Sequence, residues 1–249
     1  MDGEVPPELW EPLRRRTPAR IGLGRTGAGL PVGRLLEFQA AHALARDAVH
    51  TPVDFSALRA GLTGHRVVEV RSAAPDRATY LRRPDLGRRV RPDDAGLLSG
   101  VRADELVFVV ADGLSATAVG AHALPLLKEL RPLLGPLGTA PVVLASQARV
   151  ALGDEVGERT GARLVVVLIG ERPGLSAADS LGVYVTYGPR VGRRDSERTC
   201  LSNIHPPGGL GHRAAAVALA NLVERALRQG ATGLALGDAA LGPASGDGA

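Results

Sequence analysis

Between Asp104 and Arg228 the sequence alternates short apolar runs with longer stretches of helical spacing, and that alternation leaves few architectures open. Leu106–Val110, Pro141–Ala145 and Leu164–Ile169 contain no charged residue, as expected of strands covered on both sheet faces. Val183–Tyr187 reads as a fourth strand, ended by the Gly188–Pro189 turn. Ala116–Leu130, Val150–Thr160 (a helix, or a turn and a helix) and Ala214–Arg228 read as helices, the last closed by Gly230. Strands alternating with helices predict an α/β fold, a Rossmann-like, largely parallel sheet with helices on both faces. In such sheets ligands bind beyond the carboxyl ends of strands. That singles out the loops Ala111–Ser115, Ser146–Val150 and Gly170–Leu175.

Upstream the pattern is looser. Leu35, Phe38, Ala41, Leu44 and Ala45 recur at helical spacing and predict a helix over Pro31–His50, ended by Pro52. Arg66–Val70 is a β-rich run and a predicted strand, whereas Asp76–Pro92, rich in arginine and broken by Pro84, Gly87 and Pro92, reads as an exposed loop with at most a short helix. The expected organisation is a flexible arm over 1–19, an N-terminal helical, partner-contacting segment over 20–100, an α/β ligand-contacting domain over 101–236, and a flexible tail over 237–249.

Composition narrows the function classes. Aromatics are 3% of the 249 residues, so the core is expected to be built from Leu, Val and Ala. No apolar run approaches the ~18 residues of a membrane span. The acidic, proline-containing N-terminus does not read as a secretory signal, and a lone Cys200 forms no internal disulfide, so the cytoplasm is the expected compartment. The formal net charge is +4, and Lys128 is the only lysine among 30 basic residues. Single-strand binders interleave such charge with stacking aromatics, and this chain does not. Neither a nucleic acid nor a membrane is an expected partner.

Several motifs have chemical readings. Gly22, Gly24 and Gly27 fit the G-x-G-x-x-G dinucleotide fingerprint, which keeps a dinucleotide-dependent oxidoreductase as the alternative function. The segment before them is arginine-rich rather than a buried strand, as that motif would need. His42, Arg46 and His50 share a helix face, where the arginine argues for a polar interface rather than a metal. Gly113–Thr117 lacks the last glycine of a nucleophile elbow, and Asp112 and Ser115 are expected helix caps. Cys200 and His205 are a thiol and a base five residues apart, with no arrangement that spacing alone can fix. Glu171 and Arg172 directly follow a buried strand, where α/β folds bind ligands.

The order of motifs says more than any one of them. Arg20–Arg25, Phe38-Gln39 with His42, and Ala45–His50 resemble the N-terminal signature of ethanolamine ammonia-lyase small subunits. Asp76-Arg77, Tyr80-Leu81, Arg83–Gly87, Ala111–Ala116, Gly157-Glu158, Ile169–Leu175, Asp179–Leu181 and Arg198–His205 continue the resemblance in the same order. It implies the small subunit of a hetero-oligomeric lyase that converts ethanolamine to acetaldehyde and ammonia. It implies adenosylcobalamin as cofactor, held between this chain and a large catalytic barrel subunit. The implied cobalamin contacts are Val150, Glu171 and Cys200, with Asp112, Ser115, Arg172 and Asn203 as further candidates. No catalytic or metal-ligating residue is implied on this chain, and a bacterial microcompartment joins the cytoplasm as an expected location. None of the six histidines has an aspartate two residues before it, so the Asp-x-His-x-x-Gly motif of base-off cobalamin proteins is absent and base-on binding is expected.

Overall fold

One sheet runs through residues 67–204. It comprises β1 (Val67–Arg71), β2 (Leu106–Ala111), β3 (Val142–Ser146), β4 (Leu164–Gly170), β5 (Leu181–Tyr187) and β6 (Thr199–Ile204), in the order β1-β3-β2-β4-β5-β6. The computed structural model describes residues 7–17 and 19–237. Residues 1–6 and 18 of the expected arm, and all of the expected tail beyond Gly237, lie outside the described residues. β1, β3, β2 and β4 are parallel, while β5 and β6 add to β4 as antiparallel neighbours. Helical crossovers join the parallel strands, whereas β4, β5 and β6 follow one another with no α-helix between them, so the doubly wound pattern ends at β4.

The expected α/β architecture is present, and the apolar runs explain it. Every residue of β2 and β4 is buried, because helices cover both faces. One face packs against α3 (Phe55–Gly61), α6 (Ala116–Leu130) and α8 (His212–Gln229), through residues such as Leu58, Leu126 and Leu219. The other packs against α5 (Pro92–Ser99) and α7 (Leu152–Thr160), through Leu98, Leu152 and Val156. Each fully buried Leu or Val contributes roughly 1.5–3 kcal/mol by leaving water. The chain leaves β2 toward the first face and the adjacent β3 toward the second. That divergence opens a crevice at their carboxyl ends.

Two local expectations need correction, and two N-terminal helices add what the sequence left open. Asp76–Pro92 is not an exposed loop: α4 (Arg77–Arg82) and a 3₁₀ turn at Leu86–Arg88 carry a fully buried Tyr80 and a buried Val90. Arginine content hid this, because most of the charges point outward while Arg77 and single apolar residues anchor the segment. Arg198–His205, to which the sequence pattern assigns no strand, contains β6, whose burial alternates only weakly because it forms one edge of the sheet. Residues 7–14, placed in the flexible arm, form α1 (Pro7–Arg14). Trp10 lies over Gly22, and Arg14 Nε donates to the Ile21 carbonyl at 3.1 Å, which folds this helix back on the following loop. Finally, α2 (Val32–His50) forms as its spacing predicts, but Ala48 is its only buried residue. Leu35, Phe38 and Leu44 are exposed, Leu44 to 63%.

Candidate functional site

The crevice at the strand ends holds a cavity of about 440 Å³, lined by Tyr80, Arg149, Val150, Glu171, Arg172 and Tyr184 among others. Three expected residues converge here. Val150 follows β3, and Glu171 and Arg172 follow β4. Cys200 is one strand further out, opposite Tyr184 in the β5–β6 ladder.

Antiparallel pairing explains how Glu171 is held. β5 starts where β4 ends, with Leu181 opposite Gly170, and β6 finishes there too, with Ile204 opposite Leu181. Ser180, Ser202 and Asn203 are thereby brought around one carboxylate. Ser180 Oγ donates to Glu171 Oε2 at 2.5 Å, Ser202 Oγ donates to Oε1 at 2.5 Å, and the Asn203 N–H donates to Oε2 at 3.2 Å. Asn203, whose N–H makes that bond, has a left-handed backbone, φ 65°. The β5–β6 register shifts between Leu181 and Val183, and a Cβ on Gly182 would stand 2.8 Å from Glu171 Oε1. A side chain here would push the carboxylate out of this position. Sequence reading found Glu171 from its place after a strand. It missed Ser180 and Ser202, because an antiparallel register is not written in local composition.

The opposite wall is built on Tyr80. Its hydroxyl donates to the Ala148 carbonyl at 2.9 Å, and burial pushes its pKa up. Arg149 lies over one part of the ring at 4.3 Å and Arg77 at 4.9 Å. Asp112 serves this wall from behind. It does not cap α6: its carboxylate accepts from Gln147 N at 2.9 Å and Ala148 N at 3.0 Å, tying the loop after β2 to the loop after β3. Burial pushes the Asp112 carboxyl up, against those N–H groups and the Arg77 guanidinium. Ser115 is the cap that the sequence predicts, accepting from Ala118 N at 3.2 Å.

Cys200 is not arranged as a nucleophile. Solvent reaches it, yet the protein packed beside it pushes the thiol pKa up, and Glu171 adds to that, against a hydrogen bond with Tyr184. A reactive cysteine needs the reverse. His205 Nε2 instead lies 2.8 Å from Asn203 Oδ1. The strand that carries Cys200 is fixed at its start by Arg198, whose side chain is 2% exposed and which donates to Asp154 Oδ1 at 2.5 Å and Oδ2 at 2.7 Å.

The remaining sequence motifs lie elsewhere. Gly22, Gly24 and Gly27 occupy the connection between α1 and α2, and no strand enters it among the described residues, so the fingerprint lacks the strand–turn–helix context that gives it meaning. His42, Arg46 and His50 are exposed on α2.

Comparison with known proteins fits these observations. The profile of the ethanolamine ammonia-lyase light chain matches residues 7–237. The chain belongs to this family. Ethanolamine ammonia-lyase small subunits from Ralstonia nicotianae and Azotobacter vinelandii are 52% and 53% identical to it, each over 93% of this chain and 88% of the relative. The small subunit from Rhodococcus erythropolis is 49% identical over 93% of this chain and 90% of the relative. Family membership covers both walls of the cavity, because the matched span includes the loops after β2, β3 and β4 and all of β6. No described helix is long and apolar enough to cross a membrane.

Proposed function

We propose that this chain is the small subunit of an adenosylcobalamin-dependent ethanolamine ammonia-lyase and holds the cobalamin against a large catalytic subunit. The observation that carries this reading is the meeting of Val150 and Glu171 in one strand-end cavity, with Cys200 on the neighbouring strand, in a member of the light chain family. Adenosylcobalamin, when bound, supplies the radical that converts ethanolamine to acetaldehyde and ammonia. This chain's part is to seat the corrinoid rim.

The chemistry of the donor set fits a corrinoid. Its ring edge is rimmed with neutral amides that donate N–H bonds, and an ionised glutamate is acceptor-only, with about four lone-pair positions. Three of those on Glu171 are taken by Ser180, Ser202 and Asn203, which leaves about one for a ligand amide. The cavity, at about 440 Å³, is sized for a drug-like ligand of the ~300–1,000 Å³ class. A corrinoid is larger, so it seats part of its rim here and needs a second wall. A second wall also accounts for α2. Val32, Leu36 and Leu44 are 71%, 58% and 63% exposed, and an apolar face of this kind marks a protein interface. We assign that face to the large subunit, in a hetero-oligomer. The lack of an Asp-x-His-x-x-Gly motif in this chain supports base-on coordination, with dimethylbenzimidazole remaining on cobalt. The cytoplasm, or a bacterial microcompartment within it, is the location this reading carries.

The test is the complex of this chain with the large subunit, titrated with hydroxocobalamin by absorbance. Glu171→Gln is expected to weaken binding by about 10- to 100-fold, the worth of a hydrogen bond to a charged group, while assembly is unchanged. Unaltered affinity would remove Glu171 from the site, and a wild-type complex with no cobalamin spectrum would end the reading. Electron paramagnetic resonance of the Co(II) form checks the axial base. Coupling to a histidine nitrogen after isotopic labelling would rule out base-on binding.

A further inference from the structure

Arg149 carries a charge that no carboxylate among the described residues balances. Its side chain is half-buried in the cavity wall, and its Nε is buried with no hydrogen-bond partner. Its Nη2 reaches only the Tyr80 carbonyl, at a long 3.4 Å. No carboxylate lies within 4 Å of it among the described residues, although sixteen other arginine–carboxylate pairs and contacts of that length do form. Its neighbour Arg77 gives N–H bonds to Val49 O and Gly113 O and approaches Asp112 only to 3.5 Å, and its Nη2 is also unpaired. Asp112 is already occupied by two backbone N–H groups. Glu171, the acidic residue of the cavity, is largely spent on two serines and Asn203.

The position is built rather than incidental. The Arg149 N–H donates to Gly87 O at 2.8 Å. A Cβ on Gly87 would stand 2.9 Å from Arg149 Cγ, so the glycine clears the space through which the side chain passes. The guanidinium then lies over Tyr80, a stacking that lysine cannot reproduce. A guanidinium withdrawn from water without an acceptor is costly. One poised at a cavity in a fixed plane matches an anionic oxygen pair.

We infer that Arg149 binds a phosphodiester oxygen, and that this is the phosphate of the corrinoid's nucleotide tail. The assignment rests on the cobalamin reading above. Within that ligand the ring substituents are neutral amides, which suit Glu171, and the nucleotide tail carries the one anionic group, which suits an unpaired guanidinium. Arg77, 4.9 Å from the same Tyr80 ring, adds to the local positive charge.

Three corrinoids separate the sources of binding: cobinamide, which lacks the phosphate; cobinamide phosphate, which has it without the base; and hydroxocobalamin. Each is titrated by absorbance into the complex with the large subunit, for the wild type, Arg149→Met and Arg149→Lys. The expected result is a loss of about 10- to 100-fold for cobinamide phosphate and hydroxocobalamin in Arg149→Met. Cobinamide binding changes less than about twofold, which also shows that the site remains folded. Arg149→Lys recovers part of the loss, and the wild-type salt dependence becomes shallower in Arg149→Met. An equal loss for all three corrinoids, or no loss for any, overturns the assignment while leaving the cobalamin reading standing. A wild-type complex that binds none of them overturns both.

Discussion

Removing Arg198 is expected to be strongly destabilising, and the cost is expected to come mainly from what is left behind. Arg198 and Asp154 form an ion pair in which both side chains are 2% exposed. Burial works against the Arg198 cation, but the bonds to Asp154 outweigh it and raise its pKa. The guanidinium also donates to Thr186 Oγ1 at 3.1 Å and Arg193 O at 3.0 Å. Arg198→Met strands the Asp154 carboxylate, for which about 3–5 kcal/mol is typical, and protonation of Asp154 limits the cost to that range. The double variant Arg198→Met, Asp154→Leu removes the stranded charge. It leaves Thr186 and Arg193 short of a donor, at about 1–3 kcal/mol. The double variant is therefore expected to be more stable than Arg198→Met by at least about 1–2 kcal/mol. Urea unfolding of the purified variants, followed by circular dichroism with slopes compared, measures this. A single variant within about 1 kcal/mol of wild type, or a double variant no better than the single, would refute the reasoning.

Gly182→Ala is expected to displace the Glu171 carboxylate, because the added Cβ stands 2.8 Å from Oε1; corrinoid affinity of the complex should fall with little change in unfolding midpoint, and unchanged affinity would dissociate Gly182 from the site. Ser202→Ala removes one of three donors to Glu171 and is expected to weaken cobalamin about fivefold, the worth of a neutral hydrogen bond of ~1 kcal/mol, read in the same titration. Leu36→Asp with Leu44→Glu, both on the exposed face of α2, should abolish co-purification with the large subunit while the chain alone keeps its melting temperature; retained assembly would free that face of its role. Acid is expected to loosen the layer over α7. Burial alone would raise the pKa of Glu155, but bonds from Arg89, the Val90 N–H and Arg159 bring it below its ordinary value of 4.5, and Arg71 holds Asp94 below its ordinary 3.8 despite burial. Groups with depressed values stabilise fully above their unfolded pKa and stop doing so as pH falls through the folded one. Protection factors of the amides over residues 89–99, taken against the intrinsic exchange rate at each pH, should therefore fall as pH drops from ~5 to ~2, before those of β2 and β4; simultaneous loss everywhere would contradict it.

The sequence alone determined the elements whose neighbours are interchangeable. A run such as Leu164–Ile169 is buried whichever apolar surface covers it, so continuous hydrophobicity suffices to name it a central strand, and β2, β3, β4, α6 and α8 were legible for that reason. Glu171 was legible as well, since a charge that ends such a strand must emerge at the sheet's carboxyl edge. What lies around Glu171 was not. Ser180, Ser202 and Asn203 are joined by the antiparallel register of β5 and β6, and a polar edge strand such as Thr199–Ile204 carries almost no pattern of its own. Tyr80 was hidden in an arginine-rich segment, because one fully buried ring does not alter a local average. The helical period of α2 was read correctly, but whether Leu35, Phe38 and Leu44 face a core or remain exposed depends on which surfaces tertiary packing leaves free. Periodicity fixes which side chains share a face; only the assembled chain decides what that face meets.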